Sequence, residues 1–132
     1  MSSASSASGE PCGRDDRGAV TAELALALPV LLALTAGLVW LSAVAVAQVR
    51  TVDAAREVAR AVARGDDPGA AVALGEQVAP EGVRLSVSHS GQRVVVRARG
   101  RLSGPGGLLG ALPGATLDAR AVALAEAGAG AS

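Results

Sequence analysis

The sequence predicts an α+β fold: a long N-terminal helix, transmembrane and then amphipathic, a short second helix, and a small antiparallel sheet of two or three strands. Three observations predict it. From Leu24 to Ala47 run 24 residues without a formal charge, about 36 Å as a helix against a hydrocarbon core of roughly 30 Å. From Val49 to Arg64 apolar residues recur at spacings of three and four, the period of an amphipathic helix. After Val83 the period falls to two, the period of a half-buried strand.

Within the apolar run only Pro29 and Gly37 interrupt helix propensity. Helices in lipid tolerate both, because neighbouring groups re-satisfy the freed backbone, and Pro29 is the expected kink. Ala33 with Gly37 and Ala43 with Ala47 are small residues four apart, a spacing that lets helices approach closely, although alanine is abundant throughout. Trp40 lies toward the far end of the run, where an amphipathic ring suits a membrane interface. No breaker separates this run from the amphipathic stretch, so one continuous helix is expected. Val49, Val52, Ala55, Val58, Ala59 and Val62 form its apolar face, opposite Arg50, Asp53, Arg56, Glu57, Arg60 and Arg64.

Gly65 terminates that helix, and Asp66-Asp67-Pro68 supplies an N-cap followed by proline at the first helical position. A second helix is expected from Pro68 to about Val78, closed by Pro80-Glu81-Gly82. Val83, Leu85 and Val87 then alternate with Arg84, Ser86 and Ser88, and Gly91-Gln92 turns the chain into Arg93 to Arg99, a hairpin pattern. Ser103 to Gly114 reads as a glycine- and proline-rich connection holding a short apolar turn, Leu108 to Leu112. Thr116 to Ala125 fits a third strand, with Leu117, Ala119 and Ala121 on one face and Thr116, Asp118 and Arg120 on the other. A helix from Asp118 competes, because alanine and leucine favour it. The polar segment 1–13 and the tail from Gly128 read as loose.

Composition bounds the function. A chain of 132 residues with a membrane segment leaves room for one small domain, which excludes a large enzyme fold. Twelve basic residues, all arginine, cancel twelve acidic ones, so no overall basic balance argues for nucleic acid. Trp40 is the only aromatic residue, so platforms for base stacking are absent. Cys12 is the only cysteine and His89 the only histidine. No disulfide is available, and no ligand set for zinc is legible. Gly104-Pro105-Gly106-Gly107 lacks the spacing of a dinucleotide-binding turn. The expectation is therefore no enzyme, no cofactor, no nucleic acid and no small-molecule substrate. Arg93, Arg97, Arg99 and Arg101 form a local basic cluster; anionic lipid headgroups, a cell-wall polymer or a neighbouring subunit could bind it, and a solvated strand face is the commoner explanation.

The residue that composition does not explain is Glu23. A carboxylate at the lip of the hydrocarbon costs up to ~3 kcal/mol on insertion scales and so calls for a partner. The stretch Arg17-Gly18-Ala19-Val20-Thr21-Ala22-Glu23-Leu24-Ala25-Leu26-Ala27-Leu28-Pro29 resembles the class III signal of type IV prepilins, specifically that of TadE-like minor pilins of tight-adherence pili. The resemblance implies cleavage by a prepilin peptidase between Gly18 and Ala19. Residues 1–18 would be a removed leader, 19–64 the transmembrane and amphipathic helix, and 65–132 a small extracytoplasmic domain. Glu23 would be the fifth mature residue, paired with the amino terminus of a neighbouring subunit during assembly. Implied partners are the peptidase, other pilin subunits, the assembly machinery and membrane lipid; the implied location is the inner membrane, then a pilus or the cell surface. Glu23-Leu24, where major pilins usually carry Glu-Tyr, and the more than 80 residues after Val49 favour a minor pilin over a filament subunit.

Two alternatives stand beside this. Ala45-Val46-Ala47 is an Ala-x-Ala site for the general signal peptidase, although it falls within an unbroken helix. A single-pass scaffold or regulator that keeps its N-terminus is the other. Arg50, Arg56, Arg60 and Arg64 outnumber Arg14 and Arg17, so arginine counting alone places the C-terminal domain in the cytoplasm, opposite to what the resemblance implies.

Overall fold

The chain forms one 49-residue helix, α1 (Asp15–Ala63), then α2 (Pro68–Val78) and three strands, β1 (Arg84–Ser90), β2 (Arg93–Leu102) and β3 (Ala115–Leu124). This computed structural model describes residues 15–107, 110 and 112–125, with backbone only for residues 15–17. The polar segment 1–13 with Cys12, Arg14, most of the apolar turn at 108–111 and the tail from Gly128 lie outside the described residues. The architecture is the α+β arrangement that the residue periods predict. It divides into two units, Met1–Gly37 and Leu38–Ser132.

The first unit is helical from Asp15, through Gly18 and Pro29, without a break in the helix assignment. The apolar side chains along it are exposed, Leu26 at 74% among them. The most apolar 18-residue window of the long helix has a mean hydropathy of 2.4 and none of it is buried. A core helix of a soluble domain would bury such a window; this one keeps it free for an apolar surrounding.

In the second unit the remainder of α1 and the whole of α2 cover one face of an antiparallel sheet of order β1-β2-β3. α1 contributes Ala47, Ala54, Ala55, Val58, Ala59, Val62 and Ala63 to the core, α2 contributes Ala71, and the sheet contributes Leu85, Val94, Val96, Ala98, Leu117, Ala119 and Ala121. Thr51, the one buried polar residue among those described, donates its hydroxyl to the Ala47 carbonyl at 2.8 Å. Burial therefore costs that hydroxyl no hydrogen bond. Val49 departs from the expected face. It is 59% exposed, and Ala54 is buried instead. The reason is helical phase: Val49 sits about 200° around the axis from both Ala47 and Thr51.

The ends of the elements follow their sequence signals. Gly65, at a φ of 97°, closes α1 in a Schellman arrangement, with Gly65 N–H donating to Val62 O at 3.0 Å and Asp66 N–H donating to Ala61 O at 3.2 Å. Asp67 caps α2, its carboxylate accepting from the Ala70 N–H at 2.8 Å ahead of Pro68. The Gly91-Gln92 turn joins β1 to β2, and Ala125 N–H donates to Gln92 O at 2.8 Å beyond the end of β3. Residues 115–124 are a strand throughout, paired with β2 from Leu102↔Ala115 to Arg93↔Leu124. The competing helix from Asp118 does not form. In a strand Leu117, Ala119 and Ala121 reach the core together, a gain that outweighs the small helix preference of alanine.

Gly75 marks the closest approach of α2 to its neighbours. A Cβ placed there would collide with Cγ2 of Val58 on α1 and lie 3.3 Å from Cδ1 of Leu85 on β1. We expect Gly75→Val to destabilise the second unit by about 1–3 kcal/mol through overpacking, measured by chemical denaturation against the parent chain. Since the helix-side core comes largely from Ala47 to Ala63, a fragment of residues 65–132 should show no cooperative thermal transition, and restoring residues 38–64 should recover one.

Candidate assembly site

The sequence-predicted site lies on the exposed helix of the first unit. Gly18 and Ala19 are helical and exposed. A Cβ at Gly18 would meet nothing within 4 Å, so nothing in the chain's own packing requires glycine there. Pro29 sits inside the helix; its ring nitrogen has no proton to donate to the preceding turn. Gly37 likewise has open space where a side chain would be.

Glu23 is exposed on α1, five residues after Gly18, and among the described residues it makes no ion pair within the chain. The hydroxyls farther along the run are satisfied internally. Thr35 donates to Leu31 O at 2.8 Å and Ser42 donates to Leu38 O at 2.9 Å, the back-bonding that lets a hydroxyl sit in an apolar helix. Glu23 therefore differs from these hydroxyls in having no ion-pair partner among the described residues, and a carboxylate that leaves water calls for one.

A second feature lies at the start of the folded unit. Ser42, Ala43, Val46, Ala47 and Arg50 of α1 share a groove with Pro80, Glu81 and Leu102. The Gln48 amide donates to Asp118 O of β3 at 2.7 Å, fixing the helix to the sheet where its apolar run ends. Trp40 is half-buried just before this groove. His89 is exposed on β1, and among the described residues no group of three or more His, Cys, Asp or Glu side chains gathers as metal ligands do.

The outward face of the sheet holds what the residue pattern alone did not reveal. Arg93, Arg97, Arg99 and Arg101 alternate along β2 and are exposed. The register sets Arg84 of β1 opposite Arg99, and Arg120 of β3 opposite Arg97. One acid, Asp118, stands on this face and accepts from Arg99 Nε at 3.2 Å. Arg84 turns to Glu76 of α2 at 3.7 Å, while the Leu85 N–H at the outer edge of β1 donates to the same carboxyl at 3.1 Å. Glu76 thus satisfies part of an edge strand that would otherwise present unpaired backbone. The four arginines of β2 were legible in the sequence. The arrival of Arg84 and Arg120 beside them depends on strand pairing, for which no local signal exists.

No curated protein and no solved structure matches this chain. A family model described as TadE-like protein matches residues 18–60. That match begins at the glycine ahead of the apolar helix, includes Glu23 and ends within the sheet-covered part of α1, and over this stretch the chain is similar to that family.

Proposed function

We propose that this protein is a minor pilin or pseudopilin of a tight-adherence pilus system, matured by a prepilin peptidase between Gly18 and Ala19 and held in the inner membrane by α1 until assembly. The observation that carries this reading is the TadE-like match starting at Gly18, directly ahead of a long apolar helix that the chain leaves unburied. The open space around Gly18 supports it from another side: a glycine that the fold does not need is explained by an enzyme that must reach the backbone there. Glu23 supports it as well, as an exposed carboxylate that an amino terminus of an adjacent subunit would neutralise in an apolar setting.

The groove at Ser42 refines the span. Glu81 and Arg50 border the helix at Ser42 to Ala47, and ionised groups do not sit in hydrocarbon without partners. This supports a hydrocarbon boundary before Ser42 rather than at Ala47. The 18 uncharged residues from Leu24 to Leu41 reach about 27 Å as a helix, close to a bilayer core of roughly 30 Å. Cleavage after Ala47 is disfavoured: Ala47 is in the core and its carbonyl accepts from buried Thr51, so a cut there would remove part of the folded unit.

Mass spectrometry of the membrane-extracted protein should therefore find an N-terminus at Ala19; a start at Gln48 or at the initiator methionine overturns the reading. The bulky substitution Gly18→Leu should leave unprocessed precursor, seen as retention of the leader mass. For Glu23→Ala, the expected outcome is normal cleavage with loss from the sheared pilus fraction, because a buried ammonium without its carboxylate costs roughly 3–5 kcal/mol. Recovery of Glu23→Ala at the wild-type level in that fraction would remove the pairing role.

A further inference from the structure

Six of the twelve arginines of the chain stand on or at the rim of the outward sheet face: Arg84, Arg93, Arg97, Arg99, Arg101 and Arg120. The chain as a whole is neutral, so this concentration is a local property. Its arrangement is costly for the fold. Like charges directly opposite one another on adjacent strands are destabilising, yet the register contains two such pairs, Arg84↔Arg99 and Arg97↔Arg120. Acids answer the first pair, through Glu76 and Asp118. Among the described residues no acid lies within ion-pair distance of Arg97, Arg120, Arg101 or Arg93. A solvated face needs no such concentration, since serine or threonine would serve equally well there.

We propose that this face binds a linear polyphosphodiester, an extended polymer carrying one phosphate per short polyol unit and no bases. Guanidinium groups match phosphate oxygens with two parallel hydrogen bonds. Arg97, Arg99 and Arg101 follow at alternate positions on one strand, about 7 Å apart, a straight row that an extended phosphate chain can track, with Arg93 beyond Val95 and Arg120 alongside. Nucleic acid fits less well. The face has no aromatic side chain on which a base could stack.

The row also runs along the helix that packs beneath the sheet. Arg120 to Ala123 of β3 line a groove with Asp53 to Arg60 of α1, and Asp118 O meets Gln48. β3, and with it antiparallel β2, thus runs alongside the part of α1 in the same unit. A polymer strand beside the protein can engage the whole row.

The test uses the full chain in phosphatidylcholine nanodiscs and fluorescent poly(glycerol phosphate) as the probe, with affinity measured across a salt series. Engagement of four or five phosphates gives a slope of log K against log salt of about −3. Arg97→Gln with Arg101→Gln should flatten that slope by about 1.4 and weaken binding at least tenfold, while Arg64→Gln, at the end of α1 beside Asp66, should leave both unchanged. Arg97→Thr should lower affinity with the melting temperature equal or raised, because it removes a like-charge pair. Four results would overturn the proposal: no binding, the same loss from Arg64→Gln, a lowered melting temperature in Arg97→Thr, or tighter binding to oligothymidylate or phosphatidylglycerol vesicles than to the polymer.

Discussion

The structure of the second unit depends on one interface, the face of α1 from Ala47 to Ala63 laid against the inner side of the sheet. A three-stranded sheet with one apolar face cannot stand alone in water, and α2, with Ala71 and the Gly75 approach, covers only part of it. The helix that covers the rest is continuous with the apolar run. The interface is built from small residues, alanine and valine on the helix against valine, alanine and leucine on the sheet. The core thus draws its apolar area from small side chains, without the bulk that aromatic residues supply in other small domains.

That same economy explains how polar groups are handled. Thr51 returns its hydroxyl to its own helix, Gln48 reaches a sheet carbonyl, and Glu76 takes up an edge amide together with an arginine. Among the described residues no buried side-chain nitrogen or oxygen is left without a partner. With so little apolar area to bury, an orphaned buried group would consume a large fraction of the net stability. Against this background Glu23 and the outward arginines differ in kind. They are exposed, and among the described residues Glu23, Arg93, Arg97, Arg101 and Arg120 make no ion pair.

Much of the architecture was legible because its signals are local. Asp67 and Pro68 announce α2, Gly65 announces the end of α1, and Gly91-Gln92 the hairpin. Glu23 was legible because a single charge in an apolar stretch needs no context to be conspicuous. Residues Thr116 to Ala125 were undecided because local propensity pulled toward helix, and only pairing with β2 resolves them. Val49 was misplaced because a spacing of three to Val52 looks aligned, whereas the buried face follows Ala47, Thr51, Ala55 and Val58. The full basic face was invisible for the same reason as β3: Arg84 and Arg120 are far from β2's central arginines in sequence and meet them only through register.

Trp40 has a consequence of a different sort. It is the only aromatic residue of the chain and sits half-buried on α1 just ahead of the folded unit's groove. The sheet core holds no chromophore beyond the peptide bond. Intrinsic fluorescence of this protein is thus a single-site reporter of polarity where α1 enters its folded unit, and near-ultraviolet dichroism is blind to the packing of the sheet. A change in emission reads an event at that junction, such as transfer from lipid to a protein neighbour, uncontaminated by any signal from the strands.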